Sequence, residues 1–152
     1  MGSVSTLSHI FVGEFAHQVD AKNRVFVPAK WRSDDETNFL ALPNPIGCIT
    51  LYPPKMIARL EAKVAEISLG DIKGQKVLSK LFSQADTFVC DKQGRITLSE
   101  KLIIHADIQK DALWVGSYVT CNIWDPERYS AYNTSSFDEN NEMSRLLQQL
   151  GL

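Results

Sequence analysis

The sequence contains one unit twice. Phe15-Ala-His-Gln-Val-Asp20-Ala-Lys-Asn-Arg24-Val-Phe-Val-Pro28 can be laid over Asp86-Thr-Phe-Val-Cys-Asp91-Lys-Gln-Gly-Arg95-Ile-Thr-Leu-Ser99 at an offset of 71 residues. Asp20 then falls on Asp91, Asn23 on Gly94, Arg24 on Arg95, Val25 on Ile96 and Val27 on Leu98. After a one-residue slip, Leu51-Tyr52-Pro53-Pro54 lies over Ile123-Trp124-Asp125-Pro126. A 152-residue chain made of two such units leaves roughly 70 residues to each. A unit that small buries too little surface to stand comfortably alone. The expectation is a pseudo-symmetric pair sharing one intertwined core, with a first unit over 11–69, a second over 70–130 and a tail over 131–152, helical in part.

Each unit has the same internal order. A β-forming run leads to Asp-x-x-(Asn/Gly)-Arg, followed by a second run, Val25-Phe26-Val27 or Ile96-Thr97-Leu98. Asn23 and Gly94 are the residue types that accept a positive φ, so both loops read as hairpin turns with the left-handed residue just before the arginine. Pro28 suits the first helical turn ahead of Ala29-Lys30-Trp31-Arg32, and Ser99 can cap Glu100-Lys101-Leu102-Ile103-Ile104. A strand pair completes each unit. In the first it is Phe39–Leu42, a Pro-Asn-Pro turn and Cys48–Tyr52; in the second it is Leu113–Gly116 and Val119–Trp124. The fold class predicted is mainly β with peripheral α-helices, the two units forming one intertwined β-barrel-like core.

Between the units the hydrophobic period changes. Met56, Ile57, Leu60, Val64 and Ile67 recur at helical spacing, as do Val77, Leu78, Leu81 and Phe82, with Gly70 between them. They predict a helical hairpin whose apolar stripes are core. The stretch from Asn133 to Asn141 is polar and reads as a linker. Met143, Leu146, Leu147 and Leu150 beyond it predict a last amphipathic turn or two that docks on a neighbour or stays mobile.

Composition narrows the function. The residues are 44% hydrophobic and 22% charged, ordinary globular values. No apolar run approaches the ~18 residues of a membrane span. Cys48, Cys90 and Cys121 are odd in number and lack C-x-x-C spacing, so they support neither a disulfide framework nor a metal site, and no cofactor motif is present. No secretory signal opens the chain, and a cytoplasmic location follows as the expectation. Met1–Thr6 fits an acylation template and Asn133-Thr134-Ser135 a glycosylation template, both short enough to recur by chance.

The formal net charge is −2, a poor start for a nucleic-acid binder. The charge is segregated, however. Within 20–32 four cations, Lys22, Arg24, Lys30 and Arg32, face one acid, Asp20. Within 91–101 three cations, Lys92, Arg95 and Lys101, face Asp91 and Glu100. Acids gather elsewhere, at Asp34-Asp35-Glu36 and at Asp138, Glu139 and Glu142. A surface that shows the 20–32 loop can attract phosphate while other surfaces repel it.

Several motifs together carry a family resemblance. They are Phe11-x-Gly13, His17-x-x-Asp20-x-Lys22-x-Arg24-Val-x-Val-Pro28, Leu51-Tyr52-Pro53, Asp91-Lys92-x-Gly94-Arg95-Ile96, Val115-Gly116 and Ile123-Trp124-Asp125. In that order, over 11–130, the chain resembles the MraZ family of bacterial transcriptional regulators, which hold two AbrB-like swapped-hairpin units per chain. The resemblance implies a β-rich fold with peripheral helices, a ring-shaped homo-oligomer, and residence in the cytoplasm at the nucleoid. It also implies sequence-specific binding of double-stranded DNA at short direct repeats in the promoter of the division and cell-wall gene cluster. The sequence departs from the family pattern in three places. Met1 to Ile10 precede the usual start, Asn23 replaces a common glycine, and Ser99-Glu100 replaces the Pro-Ala of the first unit. Glu100 lowers the positive charge of the second unit and sets the two halves apart.

The residues themselves support a DNA reading. Arg24 and Arg95 beside hairpin loops are of the type that makes bidentate bonds to guanine O6 and N7, and a two-stranded ribbon fits the major groove. Lys22, Lys92, Lys30 and Arg32 suit phosphate, which positions without specifying sequence. Asp20 and Asp91 are assigned to holding the loops and orienting the arginines, with Asn23 and Gly94 supplying the turn. The competing reading is that each arginine merely pairs with its loop's aspartate. Two further classes compete at the level of function. An oligomeric scaffold or interaction module would keep the fold without DNA contacts. An enzyme would have to use His17 with Asp20, or Cys90, whose neighbour Asp91 opposes thiolate formation. With no nucleophile elbow, phosphate loop or H-E-x-x-H motif, catalysis is not expected.

Overall fold

The computed structural model of the chain describes residues 10–32, 38–134 and 139–151. Residues 1–9 with the acylation template, Asp34-Asp35-Glu36, Asp138, and Ser135 of the glycosylation template lie outside the described residues.

Among the described residues eight strands and five helices follow in order. They are β1 (Glu14–Gln18), β2 (Arg24–Phe26), β3 (Asn38–Asn44), β4 (Cys48–Tyr52), α1 (Pro54–Ala65), α2 (Ile72–Phe82), β5 (Asp86–Val89), β6 (Arg95–Thr97), α3 (Glu100–Ala106), β7 (Asp111–Gly116), β8 (Cys121–Trp124), α4 (Pro126–Asn133) and α5 (Glu139–Gln149). Six strands form one antiparallel sheet in the order β1-β7-β8-β4-β3-β5, and β2 with β6 forms a separate two-stranded ribbon. The sheet order is unchanged on exchanging β1 with β5, β7 with β3 and β8 with β4, so the repeat in the sequence is a pseudo-twofold axis in space.

Two pairs mark that axis. Val25 lies opposite its repeat counterpart Ile96 in the ribbon, and Thr50 lies opposite its counterpart Asn122 in the sheet. Thr50 Oγ1 donates to Asn122 Oδ1 at 2.7 Å and accepts from Asn44 Nδ2 at 3.0 Å, which satisfies the hydroxyl of the buried threonine. At the ends of the ribbon the Val27 amide donates to the Gly94 carbonyl at 2.9 Å, and the symmetry-related Leu98 amide to the Asn23 carbonyl at 2.8 Å.

The hairpins that spacing predicts at 20–24 and 91–95 are exchanged between the units, as the family resemblance implies. The loops close locally, through Asp20 N–H to the Arg24 carbonyl at 2.9 Å and Asp91 N–H to the Arg95 carbonyl at 2.8 Å. The flanking strands then separate: β1 pairs with β7, β5 with β3, and β2 with β6. The cause is burial. Pairing β2 with β6 puts Val25, Val27, Ile96 and Leu98, each 1% exposed, against the sheet, where either three-residue strand alone would leave them wet. The swap also explains why the barrel-like core is not closed by hydrogen bonds. The sheet ends at β1 and β5, and the strands that would bridge those edges form the ribbon instead.

The core lies between ribbon and sheet. Trp31, on the 3-10 turn Ala29–Trp31 that follows Pro28, meets Phe11, Phe15 and Trp114 edge to face at centroid distances of 5.3, 5.2 and 6.1 Å. Its Nε1 donates to the Val12 carbonyl at 3.1 Å. Ser99 caps α3 by accepting from the Leu102 amide at 3.4 Å, as its position ahead of Glu100 suggests.

Three smaller expectations change. Strand β3 runs through Pro43 to Asn44, so the turn is Pro45-Ile46-Gly47 rather than Pro-Asn-Pro. Proline is tolerated there because β5 pairs with β3 only as far as Ala41, and beyond it one side of β3 has no ladder to lose. Val119 lies outside β8, in a turn where Tyr118 takes φ 72°. The apolar stripes of α1 and α2 are not core, since no residue of either helix is buried. Each helix touches β3, and between them remains a groove of about 310 Å³ lined by Leu40, Ile57, Leu60, Glu61, Val64 and Phe82. Helix α4, capped by Asp125 with Pro126 at its first position, stands where α1 stands in the first unit.

Because the two units share one core, unfolding is expected to be a single transition by tryptophan fluorescence and by far-UV dichroism. Ile96→Ala, on the pseudo-twofold axis, is expected to cost about 2–5 kcal/mol in chemical denaturation without splitting the transition.

Candidate nucleic-acid interface

The two Asp-x-x-x-Arg loops have the same geometry. Asp20 Oδ1 accepts from the Lys22 amide at 2.9 Å and the Arg24 amide at 2.8 Å, while Oδ2 takes Arg24 Nε at 2.7 Å. Asp91 Oδ1 accepts from the Gln93 and Arg95 amides, both at 2.9 Å, while Oδ2 takes Arg95 Nε at 2.8 Å. Asn23 with φ 62° and Gly94 with φ 88° provide the left-handed position that turns the chain into each arginine. The Arg24 amide, its guanidinium and the Lys22 amide hold the Asp20 carboxyl below the usual carboxylate range, and the Arg95 and Gln93 groups do the same for Asp91.

The pairing of aspartate with arginine therefore exists, and it is compatible with recognition. The clamp uses Nε. Among the described residues the two Nη groups of Arg24 and of Arg95, the groups that bond guanine in a bidentate fork, have no acceptor.

The ribbon places both arginines on one face. Val25 and Ile96 point inward, so Arg24, Phe26, Arg95 and Thr97 point outward. Arg24 lies opposite Thr97 and Arg95 opposite Phe26. The two arginines are thus diagonal neighbours on a two-stranded ribbon, with backbones about 7–8 Å apart.

They are not equivalent. Arg24 is 31% exposed and Arg95 20%. The difference comes from Phe26, whose ring lies 5.9 Å from the Arg95 guanidinium carbon; the corresponding residue opposite Arg24 is Thr97, with no ring to offer. Phe26 is 41% exposed beside its arginine. The repeat pattern gives no sign of this contact, because the counterpart of Phe26 in the second unit is Thr97, which has no ring.

Lys22, Lys92 and Lys30 are exposed, Lys22 and Lys92 within the loops. Arg32 crosses to the other unit, where its Nη1 donates to the Gln93 carbonyl at 3.0 Å and its side chain lies over Gly94. The charge that the second unit lacks along the chain is thereby partly supplied in space by the first. The crossing also explains the glycine, since a Cβ at Gly94 would meet Arg32 Nη1. The counterpart of Arg32 is the half-buried Ile103, and the first loop holds Asn23.

The groups raised for catalysis have structural occupations. Asp20 is committed to its loop, and the His17 ring sits 6.5 Å from that of Phe26, its pKa lowered by burial and then by Arg32. The Cys90 thiol is pushed up, chiefly by burial, with Arg32 opposing the rise and Asp91 adding a smaller part to it. Cys48 is pushed up to about 11 and Cys121 higher still, both by burial.

Paired clamped loops on one exposed ribbon are the geometry of the site, and comparison with known proteins gives the class to which it belongs. Residues 81–150 match the family described as "MraZ protein, putative antitoxin-like". The chain is 32% identical over 143 residues to the transcriptional regulator MraZ of Clostridium acetobutylicum, covering 94% of this chain and all of that one. It is 33% identical over 138 residues to that of Heliobacterium modesticaldum, covering 91% and 96% of the two chains. It is 34% identical over 129 residues to that of Clostridium beijerinckii, covering 85% and 91%. The class is that of transcriptional regulators, not enzymes. Within it, the chain belongs to the MraZ family.

Both clamps depend on ionised aspartate. A carboxyl whose pKa is lowered by folding contributes at neutral pH and loses that contribution as pH falls through the lowered value. The Arg24 and Arg95 Hε resonances are expected to shift together below about pH 4 and to stay constant between about pH 5 and 8, read by NMR titration. Gly94→Ala is expected to cost about 1–3 kcal/mol and to displace Arg32, whereas Asn23→Gly is tolerated, as measured by thermal denaturation.

Proposed function

We propose that this chain is a sequence-specific DNA-binding transcriptional regulator that reads short direct repeats in the promoter of the division and cell-wall gene cluster. It does so as a ring-shaped homo-oligomer at the nucleoid, in the cytoplasm. The observation that carries this reading is the pair of aspartate-clamped arginines on the outer face of one two-stranded ribbon. The clamp holds each guanidinium in place before DNA arrives, so little side-chain freedom is lost on binding, and it turns the Nη fork toward the groove.

Roles follow from exposure and chemistry. Arg24 and Arg95 bond guanine edges. Lys22, Lys92 and Lys30 reach phosphates, and Arg32 contributes charge beside the second loop while holding it. Asp20, Asp91, Asn23 and Gly94 shape the loops and make no contact with DNA, since a carboxylate facing phosphate would repel it. The more exposed Arg24, in the more cationic segment, contributes more than Arg95. A single ribbon binds weakly. A ring or arc of copies joins several such contacts, and the raised effective concentration supplies the affinity that a chain of net charge −2 lacks in bulk.

The test is footprinting on DNA upstream of the protein's own gene at two salt concentrations. Regularly spaced protection that weakens steeply with salt is expected. Arg24→Ala is expected to reduce affinity per repeat by roughly 5- to 150-fold, the equivalent of losing one bidentate pair, with the assembled mass unchanged, and Arg95→Ala to reduce it less. Wild-type affinity in Arg24→Ala would reduce the arginine to a loop clamp. The absence of any protected fragment would favour a scaffold.

A further inference from the structure

The outer face of the ribbon carries one side chain that the fold does not require. Phe26 is 41% exposed, the one exposed phenylalanine among the described residues. Its position demands no ring. Thr97 holds the same place in the second unit, also exposed, and the Ile96 and Leu98 that flank it are as buried as the Val25 and Val27 that flank Phe26. Nor does the clamp demand it. Arg95 Nε meets Asp91 at 2.8 Å with the ring opposite, and Arg24 Nε meets Asp20 at 2.7 Å with only Thr97 opposite. The repeat thus supplies its own control: core packing and arginine geometry are both indifferent to the phenyl group.

The ring is nonetheless braced. The Arg95 guanidinium carbon lies 5.9 Å from its centre, and the His17 ring, uncharged at neutral pH because burial and then Arg32 lower its pKa, lies 6.5 Å away. Phosphate does not suit this spot, since Asp20 and Asp111 border the depression of which the ring forms one wall. What suits it is an apolar group beside a guanine edge. In the major groove of double-stranded DNA that group is the thymine C5-methyl. Directly opposed residues of an antiparallel ribbon stand about 4.5–5.5 Å apart, and successive base pairs about 3.4 Å. A ring opposite an arginine that bonds one guanine therefore falls at the neighbouring base pair.

We propose that Phe26 is a specificity-determining residue that packs its ring on the C5-methyl of a thymine next to the guanine bonded by Arg95. The proposal deepens the function proposed above and rests on it. Thr97, at the corner related by the pseudo-twofold axis, offers a hydroxyl and a small methyl that accommodate any base pair. Thymine is therefore demanded on one side of the axis only. The site read by one chain is asymmetric although its two clamps are alike, and the chain lies on DNA in one direction. Two identical corners would read either direction equally.

The test uses the full wild-type chain and DNA in which uracil replaces thymine, a change that removes the C5-methyl and leaves the hydrogen-bonding edges in place. Uracil is set at one thymine position at a time, in every repeat of the DNA protected upstream of the protein's own gene. Affinity is expected to fall about fourfold per repeat at one position beside a guanine, the worth of one buried methyl group, and under about twofold elsewhere. Phe26→Thr is expected to bind thymine and uracil DNA alike at that position. Combined with Thr97→Phe, it is expected to move the sensitivity to the symmetry-related position, in DNA carrying a thymine there. The uracil scan needs no variant, so it stays decisive even where far-UV dichroism shows a variant misfolded. No response to uracil at any position would overturn the proposal. So would a Phe26→Thr chain that binds both DNAs more weakly but keeps the preference, which would leave the ring a packing partner of Arg95. A wild type that protects repeats yet ignores uracil defeats this inference alone, whereas a wild type that protects no DNA defeats the function proposed above and this inference with it.

Discussion

The exchange of β2 and β6 across the pseudo-twofold axis is the interaction on which the rest of this structure depends. Three residues from each unit pair with three from the other, and the register places Val25 against Ile96. That pairing fixes the inward face of the ribbon as apolar and its outward face as Arg24, Phe26, Arg95 and Thr97. Had each strand paired with its own neighbour across the loop, the arginines would lie on separate hairpins and the valines would lack the sheet that covers them. The same exchange leaves the six-stranded sheet open at β1 and β5 and joins two undersized units into one core.

Within that frame the loops act as brackets. A carboxylate that accepts two backbone amides and one guanidinium Nε commits its strong interactions to geometry, and the Nη fork of the arginine has no acceptor among the described residues. The clamps match to within 0.1 Å between the units, while their surroundings differ. Phe26 lies beside Arg95, and Arg32 reaches across to lie over Gly94. The symmetry is therefore one of mechanism and not of strength. Each departure traces to a residue whose counterpart is of another type, Phe26 with Thr97 and Arg32 with Ile103.

The helices add a second asymmetry. In the first unit α1 and α2 lean on β3 without entering the core and leave an apolar groove. In the second, α4 is held by Trp124, which meets Tyr129 and Tyr132 at 5.4 and 4.9 Å, and α5 keeps its stripe in solvent. The fold thus separates a ribbon face that carries both clamped arginines from a helical face that keeps apolar residues in solvent.

Much of this was legible in the sequence because it is written in local chemistry. The offset of 71 residues, the aspartate and arginine at the ends of each loop, the left-handed position before the arginine, the Ser99 cap and the periods of α1, α2 and α5 all follow from residue types and spacing, and all appear in the structure. Partner choice was not legible. A strand of three residues states its apolar face but not which strand will cover it, so spacing alone predicts hairpins at 20–24 and 91–95, the exchange between units came only with the family resemblance, and the barrel-like core is not closed by hydrogen bonds. Nor does helical spacing say whether a stripe meets the core, a groove or another molecule, which is why α1 and α2 proved peripheral. Contacts between units, Phe26 with Arg95 and Arg32 over Gly94, depend on distances that only tertiary packing sets. The sequence by itself determined the repeat, the loop chemistry and the family; the tertiary structure decided which strands exchange and which way the arginines face. The physical reason is that turn and capping preferences act over a few residues, whereas burial is settled by the whole chain at once.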